Sequence, residues 1–395
     1  MRPGETSPED LDRPMNPRRL VDTTLFYSPT SGGVRRYLTA KHAWLSTQAG
    51  WEHTLLVPGA QEHLEPGGIS TLRGIPVPGT LNYRLPLNPR RWSRCLDALM
   101  PDFIEVGDAF HPAWASWRIA RRRGIPCAAF FHSNLPRIMA RRCGGRLTER
   151  LVGDYVRGLY AHFDVVFAPS RRMVELLEQL GVTQAVHQPL GVDATVFHPN
   201  RRSERLRKHL GLPESARVLV YAGRFTDEKN VPVLLRAFAK LGSPYHLVMI
   251  GGGRARQLAA NVTLLPYRGD SIELAQWLAS ADALVHAGTR ETFGLVILEA
   301  MACGRPVIAA RAGAVPELLD ERCGLLSEPG NAASLAAAVA ALYDCDRDAL
   351  GQQARARVLQ RFTWQRVFQR QLGVYRALLA GDGVTALEEE VAEAG

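Results

Sequence analysis

Short apolar runs alternate with segments whose apolar residues recur every three or four positions along the chain. The apolar runs predict buried strands, and the segments with three-to-four periodicity predict amphipathic helices. In the first half, the predicted strands are 19–28, 51–58, 102–106, 126–131 and 165–168, and the predicted helices are 34–48, 112–123 and 171–180. Because strands that alternate with helices form parallel sheets, this half is predicted to be a doubly wound α/β domain.

The second half repeats this alternation. Its predicted strands are 217–221, 245–250, 283–286 and 306–309, and its predicted helices are 231–241, 294–302, 334–343 and 362–379. Pro232 falls in the first turn of a predicted helix, where a missing N–H costs nothing. The two halves predict two Rossmann-like domains that face each other across a ligand-binding cleft, since open α/β sheets bind ligands at the carboxyl ends of their strands.

The polar stretch 198–208 marks the predicted domain boundary. The predicted organisation is a disordered lead over 1–19, a first Rossmann-like domain over 20–200 and a second Rossmann-like domain over 201–365. Residues 366–395 are predicted to form a C-terminal helix followed by an acidic tail. One option for this helix is that it crosses back to the first domain.

The composition is typical of a globular protein, with 46% apolar and 22% charged residues. No apolar run reaches the 18 residues of a membrane span, and the first 19 residues contain no signal-peptide core. None of the six cysteines forms a C-x-x-C pair, which argues against a zinc site or a disulfide framework. We therefore expect a cytoplasmic protein in a reducing environment.

The formal charge of +9 is concentrated in one stretch. Residues 118–150 contain nine arginines and a single acid, Glu149. This stretch predicts a polyanionic partner, either a phosphorylated acceptor or an anionic membrane surface on which the protein is peripheral. A solvated basic face is the alternative interpretation. Nucleic-acid binding is not expected, because no recognised binding module is present.

A pair of glutamates flanks a predicted helix start in the second half. Glu291 precedes the helix and Glu299 lies one to two turns inside it. Between them, Gly294 and Leu295 begin the helix, where free N–H groups and the helix dipole favour phosphate. The carboxylates on either side can accept hydrogen bonds from hydroxyls, so Glu291 is predicted to bind a sugar and Glu299 a ribose.

Two cations follow the predicted strand 217–221. Gly223 and Arg224 follow this strand after Ala222, and Lys229 lies five residues beyond Arg224. Cations at the carboxyl end of a strand can neutralise the negative charge that develops on a departing diphosphate. Arg224 and Lys229 are therefore candidate catalytic residues, although a lone cation on a loop is more often only solvated.

These segments resemble the donor domain of the family-4 retaining glycosyltransferases of GT-B fold. The resemblance rests on YAGRFTDEKNVPVLLRAF (221–238), MIGGG (249–253), ADALVHAGTRETFGLVILEAMACGRPVIAARAGAVPELL (281–319) and GLLSEPGN (324–331). The first half resembles the same family through SPTSGGVRRYL (28–38), FFHSNLP (130–136), FAPSRRMVELLEQLGV (167–182) and PLGVDATVFHP (189–199). The resemblance to this family therefore covers roughly residues 20–375.

The resemblance implies a hexosyltransferase that uses a UDP- or GDP-linked sugar and a lipid or glycan acceptor. It assigns Gly32 and Gly33 to the diphosphate and sugar, and the backbone of 293–295 to the phosphates. The base would lie near 266–268. The donor-binding residues implied in this way are Gly32, Gly33, Gly223, Arg224, Lys229, Tyr267, Glu291, Phe293, Gly294, Leu295 and Glu299.

On the acceptor side, the resemblance places His132 beside the donor sugar, and we count it with Arg224, Lys229 and Glu291 as catalytic. A histidine at a strand end can donate to a phosphate or hydroxyl near neutral pH, or it can merely cap a loop. Weaker acceptor-side candidates are Asp108, Asn134 and Arg137. The family implies same-face attack, in which the departing phosphate helps to deprotonate the acceptor.

Several other classes are weaker fits. Gly251–Gly253 lacks the third glycine of a dinucleotide fingerprint, which argues against an oxidoreductase. Asp344 and Asp346 spell D-x-D, but at a helix end far beyond the donor motif. No cofactor and no metal are expected, because Arg224 and Lys229 supply positive charge. A non-catalytic nucleotide-sugar-binding subunit and a sugar-nucleotide epimerase of the same fold stay open as alternatives.

Overall fold

The structure is a computed structural model that describes residues 17–28, 32–78, 80, 82–267 and 269–381, with the backbone alone at 142 and 143. The predicted lead before residue 17, the predicted tail after 381 and position 268 lie outside the described residues. In chain order, the strands of the first half are β1 (Arg18–Thr23), β2 (Trp51–Gly59), β3 (Ile69–Arg73), β4 (Ile75–Pro76), β5 (Arg84–Leu85), β6 (Phe103–Val106), β7 (Cys127–Phe130), β8 (Val165–Ala168) and β9 (Ala185–His187).

Seven of these strands form one sheet in the order β3-β2-β1-β6-β7-β8-β9. The chain passes from β1 to β2 and β3 on one side, and then to β6 on the other. β1 is parallel to both β2 and β6, so the strand order reverses between β1 and β6. Strands β4 and β5 form a separate antiparallel pair.

Six helices accompany this first sheet. They are α1 (Gly33–Leu45), α2 (Pro89–Ala98), α3 (His111–Arg123), α4 (Leu135–Cys143), α5 (Gly145–Tyr160) and α6 (Arg171–Gln179). Their ends follow ordinary capping chemistry. The Asn88 side chain accepts from two backbone N–H groups at the start of α2, and the Ser170 side chain accepts from one at the start of α6. Gly124 ends α3 in the left-handed conformation, at a φ of 64°.

The strands of the second half are β10 (Arg217–Ala222), β11 (Tyr245–Gly251), β12 (Arg256–Ala259), β13 (Val262–Pro266), β14 (Ala283–His286), β15 (Val307–Ala310) and β16 (Gly324–Ser327). They form a sheet in the order β12-β13-β11-β10-β14-β15-β16, parallel except for the edge strand β12. Strand order reverses between β10 and β14. The core strands are largely apolar because helices cover both faces of a parallel sheet.

The helices of the second half are α7 (Arg205–Leu210), α8 (Val231–Leu241), α9 (Ser271–Ser280), α10 (Leu295–Ala302), α11 (Val315–Leu318), α12 (Ala332–Ala341), α13 (Arg347–Arg361) and α14 (Trp364–Ala380). The last helix returns to the end of β9. Arg370 donates to the carbonyl of His187 at 2.8 Å, and Gln188 donates to the carbonyl of Val367 at 3.0 Å.

The described chain divides into two compact units. One comprises the residues up to Phe130 with His162–Asp164 and Leu378–Gly381, and the other comprises Phe131–Ala161 and Val165–Ala377. The predicted domain boundaries stay a prediction. The fold class is confirmed as α/β with two parallel, Rossmann-like sheets. Among the described residues, no helix combines the length and apolarity needed to cross a bilayer.

Several predicted boundaries were wrong. The first strand was predicted to continue to residue 28, but β1 ends at Thr23, and the Leu25 N–H donates to the Asp108 carboxylate instead of to a neighbouring strand. The helix predicted from 294 begins at Leu295, since Gly294 has a φ of 107° and acts as its N-cap. The predictions omitted the strands β3, β4, β5, β9, β12, β13 and β16 and the helices α2, α4, α5, α7, α9, α11 and α13.

Candidate active site

The loops after β10 and β14 meet at the point where the order of the second sheet reverses. β10 and β14 are hydrogen-bonded neighbours, with Leu219 opposite Ala283. In open α/β sheets, the crevice at such a point is where ligands bind. The two loops contain most of the predicted donor-binding residues, so topology brings together positions that lie far apart in the sequence.

Asn230 ties these two loops together. It ends a 3₁₀ turn, Asp227–Lys229, and its backbone is left-handed with a φ of 50°. Its side-chain amide donates to the carbonyl of Ala287 at 3.1 Å and to the hydroxyl of Thr289 at 3.2 Å. The backbone N–H of Thr289 donates in turn to the carbonyl of Glu228. Lys229 therefore sits on a loop whose position relative to the β14 loop is fixed.

Lys229 and Glu291 form an ion pair across the two loops, 62 residues apart in sequence. The Glu291 oxygen that accepts from Lys229 also lies 3.0 Å from Nε2 of His286, the last residue of β14. The side chains of Glu291 and Lys229 are only 11% and 17% exposed. Burial alone would raise the pKa of Glu291, but Lys229 and His286 lower it well below its ordinary value. The Glu291 side chain is therefore ionised at neutral pH.

His286 is the residue that sequence reasoning missed in this cluster. Its ring is buried and lies nearly parallel to that of Tyr221, with centroids 6.4 Å apart. The signal for it was weak, because a histidine at the end of an apolar strand usually has only a structural role. Its contact with Glu291 arises from the turn that follows β14 and depends on Gly288.

Gly288 packs against this cluster, and a methyl group there is expected to destabilise the protein. A Cβ atom at 288 would lie 2.5 Å from Cε1 of His286 and 3.2 Å from Oε1 of Glu291. Overpacking of this kind costs about 1–3 kcal/mol, so we expect Gly288→Ala to lower the Tm in thermal unfolding. Gly252→Ala is the matched control, since a Cβ at 252 meets nothing within 4 Å. Equal Tm changes in both variants would contradict the packing described here.

The start of α10 presents its backbone beside this cluster. Gly294 caps the helix in a left-handed conformation, which L side chains rarely adopt. Phe293 is buried and contacts the Phe362 ring edge-on, so its side chain belongs to the core. Glu299 lies within α10 and is 3% exposed.

Arg224 differs from Lys229 in exposure. Its side chain is 69% exposed and lies 3.9 Å from the carboxylate of Glu228. The backbone carbonyl of Arg224 accepts from the Tyr221 hydroxyl at 2.7 Å, which anchors the loop while the guanidinium faces solvent. Gly223 permits this bend, because a Cβ there would approach the same hydroxyl to 3.0 Å.

Two further arginines contribute charge near these loops. Arg141 of α4 pairs with Asp227 at 2.9 Å. Burial, followed by repulsion from Arg141 and Arg137, lowers the pKa of Arg290. Sequence reasoning named Arg137 but neither Arg141 nor Arg290 as site residues.

His132 lies beside the β14 loop, since its carbonyl accepts from the Thr292 hydroxyl at 3.3 Å. Asn134 caps α4 by accepting from the backbone N–H of Arg137. The structure therefore places His132 and Arg137 in the same compact unit as Lys229 and Glu291.

Other predicted positions have separate surroundings. Tyr267 follows β13 and is partly exposed, and its N–H donates to the Gly251 carbonyl. Gly32 and Gly33 begin α1, in the other compact unit.

Asp108 is a buried carboxylate just after the end of β6. It accepts from the Thr24 hydroxyl at 3.0 Å and from the N–H groups of Leu25 at 2.6 Å and Phe110 at 2.9 Å. It therefore joins the loops after β1 and β6, where the order of the first sheet reverses. This geometry favours a positioning role over contact with an acceptor.

Asp108 gives an expected pH dependence of stability. Burial outweighs its three hydrogen bonds and raises the pKa of Asp108 to about 6. A raised pKa means that its contribution to stability is present below about pH 4 and is lost as the pH rises through about 6, by about 3 kcal/mol. We expect the stability of the native protein relative to Asp108→Asn to decline over this range in denaturant titrations. A constant difference between the two proteins would contradict it.

Two Rossmann-like parallel sheets, with a lysine–glutamate pair and a glycine-capped helix where the second sheet reverses, define a glycosyltransferase of the GT-B class. Residues 216–345 match the family model for glycosyl transferases group 1, and residues 31–196 match the model for glycosyltransferase family 4. The chain belongs to this family, and it is a glycosyltransferase that uses a nucleotide-sugar.

Its relatives include mannosyltransferases. A GDP-mannose-dependent alpha-(1-6)-phosphatidylinositol dimannoside mannosyltransferase from Mycobacterium tuberculosis is 31% identical over 91% of this chain and 96% of its own length. A GDP-mannose-dependent alpha-mannosyltransferase from the same species is 34% identical over 73% of this chain and 76% of its own.

Solved structures share the fold. A sucrose-phosphate synthase from Thermosynechococcus elongatus has a TM-score of 0.76 at 22% identity, over 92% of this chain and all of that one. Anabaena HepE, in complex with UDP and glucose, has a TM-score of 0.71 at 19% identity, over 92% of this chain and all of that one.

Proposed function

We propose that this protein is a retaining mannosyltransferase that uses GDP-mannose and a lipid-linked acceptor. The observation that carries the proposal is the near full-length similarity to a relative whose name specifies GDP-mannose and phosphatidylinositol dimannoside. The cation and carboxylate cluster at the reversal of the second sheet supplies the chemistry that such a donor needs.

In this proposal the diphosphate lies between the start of α10 and the cations of the β10 loop. The backbone N–H groups of Gly294 and Leu295 donate hydrogen bonds to phosphate oxygens. Lys229 and Arg224 neutralise the charge that grows on the leaving group, so no metal is invoked. Glu291, held by Lys229 and His286, accepts hydrogen bonds from sugar hydroxyls, and Glu299 does the same for the ribose.

The reaction proposed is a same-face displacement at the anomeric carbon. The bond between this carbon and the β-phosphate oxygen breaks, and the electron pair leaves with GDP. The acceptor hydroxyl forms the new bond on the same face, and its proton passes to the departing phosphate oxygen. His132 and Arg137 lie on the acceptor side in this scheme, next to the β14 loop that His132 contacts.

The deciding experiment compares donors and acceptors with the full chain. We expect transfer of radiolabelled mannose from GDP-mannose to a phosphatidylinositol mannoside, and little transfer from UDP-glucose. A thermal-shift panel should show stabilisation by GDP above that by UDP or ADP, because a ligand that binds the native state raises Tm. Stabilisation by UDP alone, or transfer only from UDP-sugars, would overturn the GDP assignment.

An exposed apolar stripe on α5 supports the proposal of a lipid acceptor. Leu147, Leu151 and Tyr155 follow one another at four-residue spacing on α5, and the two leucines are 68% and 61% exposed. Arg146 and Arg150 are exposed on the same helix. An apolar stripe flanked by arginines is typical of a helix that lies in the interface of an anionic membrane. We propose peripheral association through this α5 surface.

Changing the stripe is expected to remove vesicle binding. The double variant Leu147→Gln, Leu151→Gln should lose most sedimentation with phosphatidylglycerol vesicles, because about 25 cal/mol for each Å² of buried apolar area is forfeited. Leu359→Gln is the control, since Leu359 is an exposed leucine on α13. Undiminished binding by the double variant, or an equal loss in the control, would contradict the α5 surface.

A further inference from the structure

A carboxylate that follows the second sheet caps a helix that follows the first. Helix α6 comes after β8 of the first sheet, and α11 comes after β15 of the second. The two carboxylate oxygens of Glu317 on α11 accept from the backbone N–H groups of Arg171 at 2.7 Å and Arg172 at 2.9 Å, at the start of α6. All three residues belong to the same compact unit. Two charge-assisted hydrogen bonds therefore join segments that lie 146 residues apart in the sequence.

Glu317 completes the hydrogen bonding at the start of α6. The first four N–H groups of a helix have no partner within it. In α6, the third and fourth of these groups donate to Ser170, the N-cap residue. The first two, which belong to Arg171 and Arg172, donate to Glu317. The carboxylate also brings negative charge to the positive end of the helix dipole, where the sequence of the helix itself supplies two arginines.

The residues just before α11 contact the loop of Glu291. The backbone N–H of Ala314 donates to the carbonyl of Glu291 at 3.0 Å. Gly313 lies so close to the same residue that a Cβ atom at 313 would be 2.6 Å from the Glu291 carbonyl oxygen and 2.9 Å from the Glu291 nitrogen. These contacts hold the main chain from which the Glu291 side chain reaches Lys229. A shift of α11 would therefore move Glu291.

Helix α11 also packs against the start of α10. Leu318, the last residue of α11, is buried, and a Cβ atom at Gly294 would lie 3.6 Å from its Cδ1. From the other side, Arg357 of α13 donates to the carbonyl of Glu317 at 3.1 Å and to the carboxylate of Asp320 at 2.7 Å. Because α11 has only four residues, such contacts and not its own hydrogen bonds determine where it lies. One short segment thus connects the start of α6 with the Glu291 loop and with the cap of α10.

The contact between Glu317 and α6 matters more for placement than for stability. Glu317 is partly exposed, and α6 keeps its own N-cap at Ser170. Loss of the Glu317 carboxylate therefore leaves α6 able to form, with a modest loss of stability. Catalysis is more sensitive, since a displacement of about 1 Å in a group that orients the substrate can lower the rate by about 10²-fold.

We propose that Glu317 is a positioning residue for the transfer reaction. It ties α11 to the start of α6, and α11 in turn holds the main chain of Glu291 and the cap of α10. Glu317 acts through Glu291, not by contact with a substrate. This assignment rests on the proposed function, in which Glu291 orients the donor sugar.

Initial rates of mannose transfer and equilibrium binding of GDP, both measured on the full chain, test this assignment. We expect Glu317→Ala to lower the turnover number by about 10- to 10²-fold, while the affinity for GDP stays within about threefold of the native value. The reason is that the sugar depends on Glu291, whereas the diphosphate is bound by Lys229 and by α10, whose buried face fixes it independently. Glu175→Gln is the matched control, because Glu175 on α6 pairs with the side chain of Arg172 at 2.9 Å, whereas Glu317 pairs with the main chain.

A second variant separates positioning from helix capping. In the double variant Glu317→Ala, Arg171→Glu, a carboxylate in the first turn of α6 restores the favourable interaction with the helix dipole without restoring a link to α11. We expect this variant to regain the Tm lost by Glu317→Ala in thermal unfolding and to keep its low turnover number. Recovery of Tm and turnover together would show that Glu317 only caps α6, and the proposal would be overturned.

Amide hydrogen exchange of residues 286–295, followed in the same samples, is a readout that needs no substrate. Faster exchange of this segment in both Glu317 variants but not in Glu175→Gln supports the proposal, because the segment has lost its support from α11. Unchanged exchange, an equal loss of turnover in Glu175→Gln, or a fall in GDP affinity that matches the fall in turnover overturns it. Failure of the native protein to transfer mannose rejects the proposed function instead, and the exchange rates then decide the role of Glu317 alone.

Discussion

Lys229→Met is expected to lower the turnover number by about 10²- to 10³-fold, the loss typical when one preorganised donor to a developing anion is removed. Lys229 is held by Glu291 at the reversal of the second sheet, where its charge is largely shielded from water. In the proposed reaction it meets the phosphate as the sugar departs. The methionine keeps most of the length of the side chain and removes the charge.

The measurement is the initial rate of mannose transfer at saturating GDP-mannose, together with the KM for the donor. Lys240→Met serves as the control, since Lys240 is an exposed lysine at the end of α8 in the same unit. A turnover number within about threefold of the native value would show that Lys229 does not stabilise the transition state.

Glu291→Gln is expected to separate donor binding from transfer. The substitution removes the negative charge that holds Lys229, so affinity for GDP should be unchanged or higher, while the turnover number falls by about 10²-fold. The reason is that Glu291 orients the sugar, whereas Lys229 binds the diphosphate whether or not a sugar is attached.

Equilibrium binding of GDP and rates with GDP-mannose, measured on one preparation, test this separation. Glu214→Gln is the control, because Glu214 is exposed on the loop before β10. A parallel loss of GDP affinity and rate would mean that Glu291 acts only by supporting the fold of the two loops.

The sequence predicted the elements β10, β14 and α10, because each lies in a short segment with a local signature. It did not predict that Lys229 and Glu291 pair with each other. That contact depends on β10 and β14 being neighbours in the sheet. Lys229 and Glu291 are 62 residues apart in the sequence, and the order of strands is set by packing between such distant segments, not by a local sequence pattern. The contribution of His286 was missed for the same reason.

The basic stretch shows the opposite limitation. Its charge was evident from the sequence, but α4 and α5 were not predicted within it, because Gly144 and Gly145 interrupt the helical periodicity. The structure separates the two helices at this pair, and only then does the apolar stripe of α5 become visible. A polar partner was therefore predictable, but a surface with an apolar component was not.

Asn230 places a narrow limit on how this sequence can vary. Glycine, asparagine and aspartate are the residues that most readily adopt a backbone with φ of 50°. Glycine has no side chain to reach the carbonyl of Ala287, and aspartate would bring an acceptor where an N–H is needed. A library randomised at codon 230 and selected for transfer activity should therefore return asparagine almost alone, although this residue is assigned no contact with either substrate.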